Sequence, residues 1–187
     1  MLIIISDHSR QHRKVYHTNE GNKMKPVLLH GPVTKGSLDE VWGEIEFYKK
    51  FGANDIVLVI NSQGGNGTKA LDFIDKIKKS GVNISVKIYH AESAATLIAL
   101  SFSEREMVKD GKLIIHLGSV EIESCDIAED GTIPKGYRIS AKKFREEMFK
   151  LANLPAGSYV DKLLATNRLT LTAEQCFKLG IVQQIIG

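Results

Sequence analysis

Cysteine is scarce in this sequence: Cys125 and Cys176 are the only two among 187 residues, they lie far apart, and no C-x-x-C pair occurs. Neither a disulfide framework nor a thiolate zinc site is therefore expected. Long apolar runs are missing too. Residues 56–60, 97–100 and 113–115 are the main internal runs, far short of the ~20 residues that cross a bilayer, so no membrane association is expected. The opening Met1-Leu2-Ile3-Ile4-Ile5 has no basic lead-in and is cut off by Ser6-Asp7-His8, which falls short of the ~7–15 apolar residues of a secretory signal. A cytoplasmic protein is the expectation. Charge of one sign is lacking as well: 25 Lys and Arg stand against 22 Asp and Glu, a net +3 spread thinly along the chain. Residues 9–25 are richer in Arg, Lys and His but lack the interleaved aromatics that give bases a stacking platform, so nucleic acid is not an expected partner.

What is present suits one compact domain, with 43% hydrophobic and 25% charged residues. That size and balance can bury a sizeable core. Residues 1–25 read as a polar arm or hairpin, and residues 26–187 as a single domain. Pro26 to Gly31 reads as a strand. Ser37-Leu38-Asp39-Glu40 has the form of a capping box, followed by Val41, Trp42, Ile45, Tyr48 and Phe51 at helical spacing, with Gly52 placed to end the helix. Residues 55–60 form a continuous run of branched apolar residues that suits a strand covered on both faces. A helix with Leu71, Ile74 and Ile77 in phase, a strand at 84–89, a helix at 94–101 and a strand at 112–116 follow. This alternation predicts an α/β domain built from crossover units. Residues 119–139 carry Glu, Asp, Gly and Pro with little helical period and read as an insertion. Beyond it, helices are expected from Ser140, from Ser158 and behind a capping box at Thr172-Ala173-Glu174-Gln175, with Gly180 closing the last one and residues 181–186 forming a final strand.

Three features stand at predicted strand ends. Asn61-Ser62-Gln63-Gly64-Gly65-Asn66-Gly67 is a glycine-rich strand-to-helix turn that aims backbone N–H groups at a common point, as an oxyanion or phosphate requires. It is neither a G-K-[ST] loop nor a G-x-G-x-x-G turn. Glu92-Ser93-Ala94-Ala95 opens an apolar helix directly after a strand, and His116 ends another strand. Each has an ordinary explanation: a tight connection, an N-cap serine, a packed histidine. Together they comprise the nucleophile, base and oxyanion donors that acyl transfer needs.

The order Asn61-Ser62-Gln63-Gly64-Gly65, then Ala91-Glu92-Ser93-Ala94-Ala95-Thr96-Leu97-Ile98-Ala99, then Ile114-Ile115-His116 resembles the proteolytic subunit of the Clp protease, especially its phage-type relatives. The likeness runs from about residue 26 to residue 186. It implies a ClpP/crotonase-like spiral of β-β-α units with crossover helices. It also implies a serine peptidase with Ser93 as nucleophile and His116 as base, and the N–H groups of Gly65 and Ala94 as oxyanion hole. The same likeness implies no metal or cofactor, peptides or unfolded proteins as substrate, a homo-oligomeric ring, and an ATP-dependent unfoldase as possible partner. Gln63 stands where the family has proline, and Glu92 where alanine is usual. Ser93 and His116 are 23 positions apart, as in the family; a register with Ala95 in the nucleophile position shortens that to 21.

The third triad member is open. The family aspartate precedes the final helix, but residues 165–170 read Ala-Thr-Asn-Arg-Leu-Thr and contain no acid. Asn167 is the nearest match, since an amide can orient a histidine, and Asp161 is the fallback. Three further readings stand beside the first: a Ser-Lys peptidase with Lys135 as base, a crotonase-like enzyme acting on acyl thioesters, and a ring subunit that has kept the fold without turnover.

Overall fold

The computed structural model describes residues 25–116, 144, 146–155 and 157–187. The expected arm at 1–25, save Lys25, which opens the first strand, together with the insertion at 119–139, Lys135 and the start of the helix expected from Ser140, lies outside the described residues. The chain alternates strand and helix: β1 (Lys25–Val33), α1 (Lys35–Lys50), β2 (Asp55–Gly65), α2 (Gly67–Ser80), β3 (Asn83–Glu92), α3 (Ala94–Leu100) and β4 (Glu104–His116). There follow a helical stretch at 146–152 (α4), α5 (Ser158–Thr166), β5 (Arg168–Thr172), α6 (Ala173–Lys178) and β6 (Gln184–Ile186).

β1 to β4 are hydrogen-bonded in chain order and all parallel, each joined to the next by a helix. β5 adds antiparallel to β4, and β6 pairs parallel with the first part of β4. Inward-facing residues such as Val27, Leu29, Ile56, Leu58, Ile60, Ile88, Leu113 and Ile115 are fully buried, because alternate residues of each strand turn to the face that α1 and α3 cover. Parallel strands bring their carboxyl ends to one edge, so the ends of β1, β2, β3 and β4, at Val33, Gly65, Glu92 and His116, gather there.

Several boundaries differ from the sequence expectation. The capping box of α1 is Thr34 with Ser37, not Ser37 with Glu40: the Thr34 hydroxyl accepts from Ser37 N–H at 3.1 Å, and the Ser37 hydroxyl accepts from Thr34 N–H at 3.0 Å. Thr34 is the first residue past β1 and takes the cap, and Gly36 in the first turn hid that earlier start. β4 begins at Glu104 rather than at residue 112. Its first part is polar, and between Met107 and Lys112 its pairing with β3 jumps, four β4 residues standing against one of β3. Gly111 lies in that jump, where an added Cβ would stand 2.8 Å from the Val108 carbonyl oxygen. Thus one strand serves two neighbours: 106–108 pair with β6 and 112–116 with β5. The boxed helix at Thr172 is present as expected, with Gly180 at φ 68 just past its end.

Ile88 lies at 0% exposure on the inner face of β3, between β2 and β4. Ile88→Ala is expected to lower the unfolding free energy by about 2–5 kcal/mol, read from the denaturant midpoint at unchanged slope.

Candidate active site

The chain turns sharply between β3 and α3, and the residue at the turn is Ser93, with φ 55 and ψ −120. A non-glycine residue at that backbone angle costs on the order of 1–3 kcal/mol and persists only where its surroundings hold it. They do so here through hydrogen bonds. Ser93 N–H donates to the Ile114 carbonyl at 3.1 Å, and Leu97 N–H to the Ser93 carbonyl at 3.0 Å. The Thr96 hydroxyl shares its proton between the carbonyls of Ala91 at 2.9 Å and Ile114 at 2.8 Å. The Ser93 side chain makes no capping hydrogen bond to α3, so the ordinary N-cap explanation of this serine does not hold. A strained strand-to-helix elbow carrying a serine is the geometry that presents a nucleophilic hydroxyl.

The glycine turn at the end of β2 packs on that elbow. At Gly64, with φ 85, an added Cβ would stand 2.3 Å from the Glu92 carbonyl oxygen, 2.8 Å from Ser93 Cβ and 3.0 Å from Ala94 N. At Gly65, with φ 148, it would stand 2.5 Å from the Val33 carbonyl oxygen. Ser62, almost fully buried, ties the turn down: its hydroxyl donates to the Gly31 carbonyl at 2.5 Å and accepts from Gly64 N–H at 3.1 Å.

His116 ends β4, two residues beyond Ile114, which lies opposite Glu92 in the β3–β4 register. Ser93 and His116 thus stand at the ends of adjacent strands. Burial holds the His116 imidazole below the ordinary histidine value, with the Glu92 carboxylate pulling it up and Arg168 pushing it down. Arg168 is directly opposite His116 in β5 and donates to Glu92 Oε1 at 2.6 Å; His90 Nε2 lies 3.7 Å from the other carboxylate oxygen.

Asn167 ends α5 in the left-handed region, at φ 55, one residue before Arg168. Asparagine is among the few residues that take this conformation readily. Asp161 is exposed on the first turn of α5, six residues or about 9 Å of helix rise from Asn167. Sequence reading missed Ser62, Thr96 and the Glu92–Arg168 pair. Thr96 left a faint signal as the one polar residue within the apolar stretch 94–100, whereas the ion pair joins residues 76 apart and left none. Among the described residues no three His, Cys, Asp or Glu side chains gather as a metal-ligand set. Nor is any helix there long and apolar enough to cross a membrane.

Residues 9–187 match the family model described as Clp protease. No curated protein matches this chain. Among solved structures, the ClpP protease catalytic domain from Plasmodium falciparum superposes with a TM-score of 0.66 at 18% identity, covering 87% of this chain and 85% of that one. At that identity the likeness is one of fold: the central sheet with its crossover helices is ClpP-like, as the sequence resemblance implies.

The packing at Gly64 makes a specific demand. Gly64→Ala is expected to disrupt the elbow, since both its positive φ and its backbone contact with Glu92 forbid a Cβ, and to cost more than about 3 kcal/mol. Gly81→Ala, at φ 74 with nothing within 4 Å, is expected to cost only about 1–2 kcal/mol. Thermal unfolding of the two variants side by side checks the ordering.

Proposed function

Since the chain belongs to the Clp protease family, we propose that it is a serine peptidase in which Ser93 attacks the peptide carbonyl and His116 is the general base. Ser93 Oγ bonds to the carbonyl carbon as its proton passes to the imidazole. The tetrahedral oxyanion is held by the N–H groups of Gly65 and Ala94. Because Gly64 N–H is engaged by Ser62, Gly65 rather than Gly64 is assigned the first of these. The C–N bond then breaks as His116 returns the proton to the leaving amine, and water repeats the sequence on the acyl-enzyme. The proposed chemistry uses no metal or cofactor. Peptides or unfolded proteins are the proposed substrates, with a homo-oligomeric ring as the working form and an ATP-dependent unfoldase as the proposed partner.

The observation that carries this reading is the elbow: a serine held at φ 55 by two backbone hydrogen bonds and by the Thr96 hydroxyl bridging Ala91 and Ile114 beside it, its own hydroxyl not used as a cap. A second reading, a ring subunit without turnover, is favoured by the missing acid at Asn167. Labelling decides between them. A fluorophosphonate is expected to modify Ser93 alone, and Ser93→Ala to lose both the label and peptidase activity, by roughly 10⁴-fold or more. Label retained in that variant, or none in the parent chain, refutes the assignment.

Orientation of His116 is assigned to Asn167, with Asp161 as the fallback. Asn167→Asp is expected to raise kcat/KM roughly ten-fold by setting a charge near the imidazolium, and Asn167→Ala to lower it. Asn167→Gly keeps the left-handed turn without the amide, so a loss shared by Ala and Gly belongs to the side chain rather than to backbone strain. If all three leave turnover unchanged while His116→Ala abolishes it, Asn167 is not the orienter.

The pH dependence follows from burial of His116. A lowered value means that the imidazole stays neutral, and able to accept a proton, to lower pH than an exposed histidine does. The acid limb of kcat/KM is therefore expected below the ordinary value of 6.5, and a pH–rate profile measures it.

A further inference from the structure

The ladder registers gather several charged or titratable side chains on one face of the sheet. His90 and Glu92 of β3 lie opposite Lys112 and Ile114 of β4, and Lys112, Ile114 and His116 lie opposite Thr172, Thr170 and Arg168 of β5. Directly paired residues point to the same side of a sheet, as do residues two apart on one strand. Glu92, His116 and Arg168 therefore share a face. Strands β3 and β5 are not neighbours; β4 runs between them, so they are about 9–10 Å apart across the sheet. The 2.6 Å contact between Arg168 Nη1 and Glu92 Oε1 consequently reaches over β4. It crosses at the step from Ile114 to His116, because Glu92 is in register with the first and Arg168 with the second. Ile114, at 5% exposure, lies beneath it.

The carboxylate end of this bridge is well covered, with 18% of the Glu92 side chain exposed against 51% for Arg168. Glu92 therefore acts on its neighbours with less screening than a surface carboxylate. It immediately precedes Ser93 and stands beside the strand that ends in His116. Residues 165–170, the stretch in which the sequence resemblance looks for an acid, contain none, and the nearest match, Asn167, is an amide.

We propose that Glu92 is a positioning residue for His116, supplying the negative charge that Asn167 cannot, and that Arg168 holds Glu92 in place while moderating that charge. This rests on the assignment of His116 as base. Beside His116 on this face the described residues set four charged or titratable groups, Glu92 and His90 from β3, Arg168 from β5 and Lys112 on β4 itself; His30 of β1 and the Lys87–Glu106 pair lie farther off on it. Two of the four, Arg168 and His90, make direct contact with the Glu92 carboxylate. In the reaction the imidazolium forms beside a carboxylate that is already clamped, so no side chain has to reorganise as the charge develops. Without Arg168, Glu92 acts on the imidazole unmoderated; without Glu92, the guanidinium faces the imidazole alone and opposes its protonation.

The two changes shift His116 in opposite directions, which loss of local structure does not do. Histidine C2 hydrogen–deuterium exchange, read peptide by peptide in a mass spectrometer, gives the titration midpoint of His116 separately from that of His90, in the full chain and without reference to activity. The midpoint is expected to fall in Glu92→Gln, rise in Arg168→Gln and stay near the parent value in Arg168→Lys. The acid limb of kcat/KM should follow the same directions, with the plateau of Glu92→Gln reduced roughly ten-fold. Midpoints that stay put in both glutamine variants, or move the same way in both, overturn the proposal. Should Glu92→Gln fail to fold, the exposed Arg168 decides alone: a rise in Arg168→Gln supports the proposal, and no rise overturns it. If the midpoints move as expected but Ser93 takes no fluorophosphonate, the coupling stands and the peptidase reading fails.

Discussion

The carbonyl oxygen of Ile114 takes hydrogen bonds from Ser93 N–H and from the Thr96 hydroxyl, and the layout of the site depends on that double attachment. It fastens the elbow after β3 to β4 two residues before His116. Without it, nothing in the ladder would fix the turn, because β3 ends at Glu92 and α3 has only seven residues. The energies are commensurate: a backbone angle like that of Ser93 costs on the order of 1–3 kcal/mol, and each hydrogen bond returns about 0.5–1.5 kcal/mol net. The Ser93, Leu97 and Thr96 bonds together offset the strain without much surplus. A serine is thus held at an unfavourable angle by attachments whose geometry also sets its distance from the histidine.

Close approach follows from that fastening. The elbow is walled by Ala91, Ala94 and Ala95, each at 0% exposure, and by the backbone of Gly64. Larger side chains would push the β2 turn away from α3, and the amides proposed for the oxyanion would separate. The three small residues that the sequence shows around Ser93 are thus a packing requirement of the turn, and Ser62 is its counterpart on the other side, holding the glycines against the elbow.

Much of this was legible in the sequence because it is local. The run at 56–60, the glycines after it, the serine between strand and helix and the histidine at a strand end each lie within a few residues of the feature that explains them, and they lead to the right fold. What was hidden depends on partners far along the chain. The first part of β4 is a polar stretch, Glu104-Arg105-Glu106, whose role as strand comes from pairing with β3 and β6. Arg105 is half-buried and donates to the Ile181 carbonyl at 2.5 Å and to the Phe102 carbonyl, which anchors the C-terminal segment. β5 is hidden for a similar reason: residues 168–172 alternate polar and apolar over only five positions, too few to mark a strand without its partner β4. The start of α1 was misplaced by one turn because both Thr34 and Ser37 are cap formers, and only the end of β1 decides between them.

The charge distribution is tied to the same topology. Residue 167 is the last before β5 and must adopt a left-handed turn for Arg168 to enter the ladder opposite His116. Asparagine suits that angle but brings no charge. Glu92 occupies the strand on the other side of β4, in register with Ile114, so its carboxylate approaches the histidine face from β3 rather than from β5. Both routes arrive beside the same strand end. Arg168 is needed for the second, because a half-buried carboxylate with no cation beside it would be costly, and β5 presents that cation at the one register position that faces His116. Burial disfavours the charged imidazole, while the paired carboxylate favours it; in the proposed role of a base, which must first accept a proton and then return it, both tendencies are of use.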